Sequence, residues 1–407
     1  MPRFTTFESL GNRDFRLLWQ AQVASSMAQW MDQVTRGWLI LTLTNSPLQL
    51  GVAMAARGLP ILFFGLIAGA FADRYGRKQV LVLAKVVNVL AALVLATLVF
   101  TGLVQPWHVY VTAFAAGIGQ AFQQPARQTL ISDLVGDDRL LNAIALNSAA
   151  LNASRVVGPA IAGWVIVLVG FDGAYFLEAG VYVVATIWTL QMYVPDRATD
   201  GRPRESFFRS IGTGFAFASH DGNIRSLLLL ALGPLTFGMA YTTLMPVIAR
   251  DVLGGGPELS GVLLSFIGGG SLLGALVVAS VRRSHAYALP MVVGAAMFSI
   301  SIAAFASSPW VWLSCVLGAL LGLSNVTYTT QNQTLLQVMS PDHLRGRVMS
   351  IYLLDRGLVP MGALLAGALA SQFGGPTALR TMAAISLAIV CLVVASRPGL
   401  LRLKVPL

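Results

Sequence analysis

Residues 69–78 read GAFADRYGRK, and they decide the fold. The apolar run ILFFGLIAGAFA leads into them and VLVLAKVVNVLAALVLATLVF follows. Asp73, Arg74, Arg77 and Lys78 crowd into the gap between, with Gly69 and Gly76 beside them. A helix needs roughly 20 apolar residues to cross ~30 Å of hydrocarbon. Two such runs with a short charged break between them describe a chain that turns at a membrane surface.

The rest of the chain repeats this pattern. Of 407 residues, 56% are hydrophobic and 11% charged, against about a quarter charged in a soluble domain. Apolar blocks place twelve spans near 16–44, 48–72, 79–101, 107–134, 139–169, 173–194, 224–250, 258–281, 289–306, 309–338, 345–372 and 376–396. The net charge of +10 lies in the gaps and forms no continuous face, which argues against nucleic acid. Alternate gaps carry the basic residues, from Arg13 and Arg16 through Arg74, Arg77 and Lys78 to Arg402 and Lys404, while the opposite set holds Arg250. By the positive-inside bias both termini are expected in the cytoplasm. The N-terminus, MPRFTTFESLGNRDFRLLWQ, lacks the short apolar core and small-residue cleavage site of a signal peptide. Cys315 and Cys391 sit inside apolar blocks with no disulfide or metal-ligand spacing.

One long polar connection, 195–223, falls mid-chain and prompts a test for repeats. Gln128-Thr129-Leu130 recurs as Gln333-Thr334-Leu335, an offset of 205 (333 − 128). Gly65, Gly69, Arg77 and Lys78 meet Gly270, Gly274, Arg282 and Arg283 at the same offset, and Arg155 and Pro159 meet Arg356 and Pro360 nearby. The expected architecture is an all-α membrane protein of twelve transmembrane helices. Two pseudo-symmetric six-helix bundles, 1–194 and 224–407, flank a cytoplasmic linker at 195–223.

With these residues in hand, the chain resembles the major facilitator superfamily. Gly69, Asp73, Arg74, Gly76, Arg77 and Lys78 match that family's signature between the second and third spans. SRVVGPAIAG resembles its exporter-associated signature, with Gly158, Pro159 and Gly163 in place and Ser154 where a glycine is usual. GWLILTLTNSPLQLGVAMAARGLP is most similar to the branch of enterobactin exporters and macrolide efflux pumps. Ala113 stands where many drug/proton antiporters carry an arginine. The resemblance implies a cytoplasmic gate in which Asp73 lies against the start of the eleventh helix, near Asp342. Arg77 can pair with Asp133; the alternative is a solvated turn carrying topology charges only.

Charges inside the spans carry the chemistry. Asp32, Arg36, Arg57, Arg127, Arg155, Asp355 and Arg356 lie within apolar blocks. Each costs about 2.5–3.5 kcal/mol at a helix centre facing lipid, so they must face one another or water. Gln22, Ser25, Gln29, Asp32 and Arg36 step by three or four residues, one polar stripe on one face that suits a water-filled cavity. Asp32 and Arg36, at i and i+4, are the proton-coupling candidates: burial opposes and the guanidinium favours the carboxylate's charge. The alternative is a self-neutralised pair that fixes packing. His108, His220, His285 and His343 lie in or beside loops.

Gln120, Gln124 and Arg127 on the fourth span are expected to line the substrate cavity with Gln29. Tyr241 and Met245 on the seventh, and Asn325, Tyr328 and Gln331 on the tenth, join them. The first, fourth, seventh and tenth spans are those the resemblance assigns to that role. Interhelical hydrogen bonding is the competing reading. Arg155, Gly158, Pro159, Gly163 and Arg356 are read as an outward hinge and seal, or as small-residue packing. Glu178, within two turns of the outer loop, is read as reaching the interface.

No Gly-x-x-x-x-Gly-Lys loop, nucleophile or cofactor motif is visible, so neither ATP drive nor an enzyme is expected. The expected protein is a monomeric inner-membrane exporter of small amphipathic molecules such as drugs or siderophores, using protons and no cofactor. Its partners are the substrate and membrane lipids. A dedicated siderophore exporter, an uncoupled facilitator or lipid flippase, and a non-transporting scaffold are the alternatives.

Overall fold

The computed structural model describes residues 7–194, 215–280 and 285–406. The side chains at 66, 69, 70, 72, 73, 137, 285–287, 342, 343, 353–356 and 404–406 lie outside the described set. Helix α1 (Arg13–Thr44) starts behind Asn12, whose side-chain oxygen accepts from the amides of Asp14 and Phe15 at 2.9 and 3.1 Å. This satisfies two of the donors a helix start leaves open. It ends at Asn45 in the left-handed region, φ 49°, which a short amide side chain tolerates. Helices α2 (Pro47–Tyr75) and α3 (Arg77–Phe100) meet at Gly76. The φ of +88° there requires a residue without Cβ, which is the structural role of that glycine in DRYGRK.

The helical stretch Pro106–Gln191 breaks twice, at Gly136 (φ 69°) and Gly170 (φ 78°). It therefore makes three helices: α4 (106–135), α5 (137–169) and α6 (171–191). Helix α7 (Gly222–Asp251) is capped by Asp221 and carries a π-helical segment at Gly233–Gly238, where Pro234 removes a backbone donor. Helices α8 (Pro257–Ser280), α9 (Ala288–Ala306) and α10 (Val311–Met339) follow. Helix α11 comes in two pieces, Asp342–Arg356 and Val359–Phe373, and α12 spans Gly375–Ser396.

Each expected span overlaps one of these helices, the eleventh in its two pieces, with ends that differ by a few residues. Two features differ from expectation. Residues 215–220, inside the expected linker, are helical, while 195–214 lie outside the described residues. The all-α reading also gains a small ribbon: β1 (His285–Tyr287) pairs antiparallel with β2 (Lys404–Pro406), Ala286 opposite Val405. Backbone that leaves a helix still needs hydrogen-bond partners, and these two short segments supply them to each other.

The chain folds as two compact units. Unit one takes in α1, α3–α6, most of α2 and the first turns of α8, Gly255–Ser265. Unit two takes in α7, α9–α12, the rest of α8 and the first turns of α2, Ser46–Ala55. Each unit thus holds the start of one helix from the other half of the sequence.

In unit one, Phe15 and Leu18 of α1 pack with Val80, Leu81, Ala126, Leu130, Ala143 and Leu146. In unit two, Leu227, Met291, Leu335, Val348, Tyr352 and Val390 form the corresponding core. The internal repeat is visible in the packing. A Cβ on Gly117 of α4 would collide with the Arg57 carbonyl of α2, and one on Gly322 of α10 with the Ile267 carbonyl of α8. The two glycines are 205 positions apart (322 − 117), the offset of the sequence repeat. The outer surface is apolar: Leu168 is 74% exposed and Leu392 67%. Helices satisfy their own backbone groups, so such a surface suits hydrocarbon.

Candidate functional site

In unit one the turns at Gly76 and Gly136 share the end where α1 begins, and those at Asn45, Gly102 and Gly170 share the far end. Charged side chains gather in two places between these ends. The first lies in the far half. Asp32 of α1 is buried, and both its oxygens are engaged. Oδ1 accepts from Arg36 Nη2 at 2.6 Å; Oδ2 accepts from Arg36 Nε at 3.2 Å and from Arg57 Nη1 of α2. Arg36, also buried, turns its remaining Nη1 toward α4, donating to Thr112 Oγ1 at 2.9 Å and the Val109 carbonyl at 3.1 Å.

The expected i, i+4 pair is therefore present. It is also shared with a second arginine that spacing alone did not bring to it. The polar stripe of α1 is enclosed at Gln22, Ser25, Asp32 and Arg36, each 3% exposed or less. These residues meet neighbouring side chains and carbonyls where water was expected; Gln29 is half-buried.

Glu178 of α6 corrects a sequence expectation. It does not reach an interface: it is 2% exposed, its Oε2 meets no hydrogen-bond partner among the described residues, and it lies in the field of Arg36 and Arg57. Tyr175 and Tyr182, three before and four after, are buried on the same face. Helical spacing of Glu178 between two tyrosines was the signal that could have found it.

The second cluster lies in the near half. Arg127 of α4 is buried and donates through Nη1 to Gln22 Oε1 at 2.7 Å. Gln22 Nε2 in turn donates to Ser26 Oγ at 2.6 Å. Lys85 of α3 is 1% exposed. Its Nζ donates to Thr189 Oγ1 of α6 at 2.8 Å and reaches the carbonyls of Ala21 and Ala185 at 3.4 Å. Lys85 was missed, though a lone lysine within the apolar run of α3 is a visible signal. Gln120 is half-buried and Gln124 exposed on α4.

At the turn between α2 and α3, Arg77 and Asp133 form the expected ion pair. Lys78 does something else: its Nζ donates to the carbonyls of Leu190 and Met192 at 2.8 and 2.6 Å, closing the end of α6. A cation suits the negative end of a helix. Arg74 is exposed, with its guanidinium 5.6 Å from the centre of the Tyr75 ring. The side chains of Asp73, Asp342, Asp355 and Arg356, and the packing of Gly69, lie outside the described residues.

On α5, Arg155 stands 5.6 Å from the centre of the Trp30 ring, and Ser154 Oγ donates to Ala150 O at 2.8 Å. A Cβ at Gly158 would come within 2.8 Å of Trp30 Cβ, and one at Gly163 within 2.8 Å of Glu258 Cα. Ser265 Oγ donates to the Val156 carbonyl at 2.5 Å, one turn before Pro159, a proline inside the helix. The start of α8 is thus seated on α5 where small residues permit it.

In unit two the expected cavity residues are enclosed. Tyr241 and Met245 are 1% exposed and Tyr328 is fully buried. Tyr241 meets Phe298 edge-on at 6.3 Å, and Tyr328 backs onto Gly294. Asn325 and Gln331 are buried as well, and Asn325 Nδ2 lies 4.0 Å from Met239 Sδ. A groove of about 660 Å³ between α1 and α6, lined by Trp19, Met27, Val181 and Trp188 among others, holds none of the expected site residues.

The model of the transmembrane secretion effector family matches residues 4–401. The staphyloferrin A transporter of Staphylococcus aureus is 26% identical over 376 residues, 90% of this chain and 91% of that one. Macrolide efflux protein A of Streptococcus pyogenes is 25% identical over 369 residues, 88% of this chain and 90% of its own. The crystal structure of the nucleoside transporter NupG superposes with a TM-score of 0.74 at 13% identity, covering 94% of this chain and 98% of NupG, and shares the fold. The chain belongs to the transmembrane secretion effector family of major facilitator transporters, and so is a multi-pass membrane carrier with the twelve-helix fold of that superfamily and not an enzyme.

Proposed function

We propose that this carrier is a secondary active exporter of small amphipathic molecules, driven by protons and working by alternating access. It sits as a monomer in the inner cell membrane with both termini in the cytoplasm. Its bundles are 1–194 and 224–407, joined by a cytoplasmic linker at 195–223. The observation that carries this reading is Asp32, a carboxylate held at mid-helix between two guanidinium groups inside an apolar unit. Such charges are expensive in a membrane interior and have no use in an inert scaffold. Asp32 and Arg36 are the proposed coupling pair, and Glu178 joins them as a second buried carboxylate in the same field.

The proposed substrate contacts are Gln29, Gln120, Gln124 and Arg127 in unit one. In unit two they are Tyr241, Met245, Asn325, Tyr328 and Gln331. Gly69, Asp73, Arg74, Gly76, Arg77, Lys78 and Asp133 are the proposed cytoplasmic gate. Arg155, Gly158, Pro159, Gly163 and Arg356 are the proposed outer hinge and seal, which the close seating of α8 on α5 supports. The likeness to a macrolide efflux protein supports an amphipathic organic cargo. A second reading, a carrier dedicated to siderophores, is favoured by the likeness to the staphyloferrin A transporter.

The test is transport by purified protein in liposomes. An amphipathic dye accumulates when a pH gradient is imposed, and Asp32→Asn abolishes the accumulation. Equal movement without a gradient makes the protein a facilitator, and no movement at all removes the transport reading.

A further inference from the structure

We infer that Arg127, with Gln123 one turn before it and Lys85 close by, forms a docking point for an oxyanion, the carboxylate of the carried molecule. This rests on the reading of Arg127 as part of the substrate site. Among the described residues, carboxylates pair with Arg36, Arg57, Arg77, Arg139 and Arg250, and none pairs with Lys85 or Arg127. Yet these two basic side chains are buried, at 1% and 6% exposure, and both reach the same turn of α1, Lys85 at the Ala21 carbonyl and Arg127 at Gln22 Oε1. Buried charge is tolerated when it is paired. Here the partners are neutral: a glutamine oxygen for Arg127, and a hydroxyl and two carbonyls for Lys85.

Two donors in the same place are unused. Arg127 Nε and Gln123 Nε2 are enclosed and meet no acceptor among the described residues, although Gln123 is 8% exposed. Positions four apart on one helix share a face, so both open N–H groups belong to one turn of α4. A guanidinium N–H can only donate, and charge-assisted bonds to a carboxylate are the strong ones for arginine. What the turn lacks is an acceptor with negative charge, and the described residues do not supply it. The half-buried Gln120 and exposed Gln124 flank this turn on the same helix, which places it beside accessible surface.

The experiment compares two dyes on one xanthene scaffold, carboxyfluorescein as the anion and rhodamine 6G as the cationic ester, in proteoliposomes of phosphatidylcholine alone. The full chain is expected to move both and to favour carboxyfluorescein. Arg127→Gln shifts the ratio of half-saturating concentrations at least tenfold toward the cation. An unchanged ratio overturns the proposal. Movement of rhodamine 6G alone overturns the anion assignment and leaves the carrier reading standing; movement of neither dye overturns both. If carboxyfluorescein transport requires added phosphatidylglycerol, the anion at this turn is a lipid headgroup and the assignment to cargo fails. Gln123→Glu guards against misfolding of the arginine variant. It builds the missing counter-charge into the protein, so melting should rise by about 2–4 °C while the preference for carboxyfluorescein disappears. Lower melting with the preference intact overturns the proposal.

Discussion

Unit one holds two charged clusters of opposite accounting. In the far half, Asp32 is gripped by Arg36 and Arg57, and Glu178 lies in the same field, so two carboxylates face two guanidinium groups. In the near half, Lys85 and Arg127 are buried among neutral acceptors, with no carboxylate paired to either among the described residues. In the first cluster both oxygens of Asp32 are engaged and α1, α2 and α4 are tied together, although Glu178 Oε2 has no partner among the described residues. The second is complete only with something added. The difference teaches that buried charge in a membrane interior can be balanced within the protein, as around the proposed coupling carboxylate Asp32, or left without a counter-charge, as around Arg127.

That comparison can be broken by measuring how much each cluster contributes to stability. Asp32→Asn should have the largest effect, because it takes the carboxylate from two guanidinium groups at once, buried Arg36 and half-buried Arg57: a loss of about 3–5 kcal/mol, read as a drop in melting temperature in detergent. A melting point equal to wild type means that the far cluster is not what holds α1 to α2 and α4. Thr189→Val should follow. It removes the one close acceptor of Lys85, a hydrogen bond to a charged group worth about 1.5–3 kcal/mol. Gly117→Ala should cost about 1–3 kcal/mol by pressing on the Arg57 carbonyl, and it sharpens the comparison because the helix it displaces carries a member of the far cluster. The smallest change is expected from Arg127→Gln. Removing an uncompensated buried cation recovers its desolvation cost, so stability should move by less than about 1 kcal/mol. A loss as large as that of Asp32→Asn would place a hidden partner beside Arg127.

The turns were the most legible part of the chain. Gly76, Gly136 and Gly170 take left-handed backbone where helices reverse, and each stands between apolar runs in the sequence. The repeat was legible too, since the 205-residue offset reappears in the paired close contacts of Gly117 and Gly322. The functional residues divided differently. Asp32 with Arg36 was readable because the pair shares a helix turn, and Arg77 with Asp133 because the family resemblance places the charged turn at the cytoplasmic end of the fourth span. Lys78 showed its charge but not its task, capping α6. Glu178 was misplaced near the surface because depth in a bundle depends on which neighbours cover a face. The ribbon of β1 and β2 had no signal in two segments of three residues.

What the sequence determined by itself was the number and approximate length of the helices. These follow from hydrocarbon thickness and from backbone groups that must be satisfied within each segment, and both are local properties of the chain. What only the tertiary structure decided was which charges share a cluster and which stay open. Periodicity says which face of a helix is polar. It cannot say that Arg57 arrives at a carboxylate 25 residues away while, among the described residues, none arrives at Arg127, because that depends on how separate helices rotate and pack against one another.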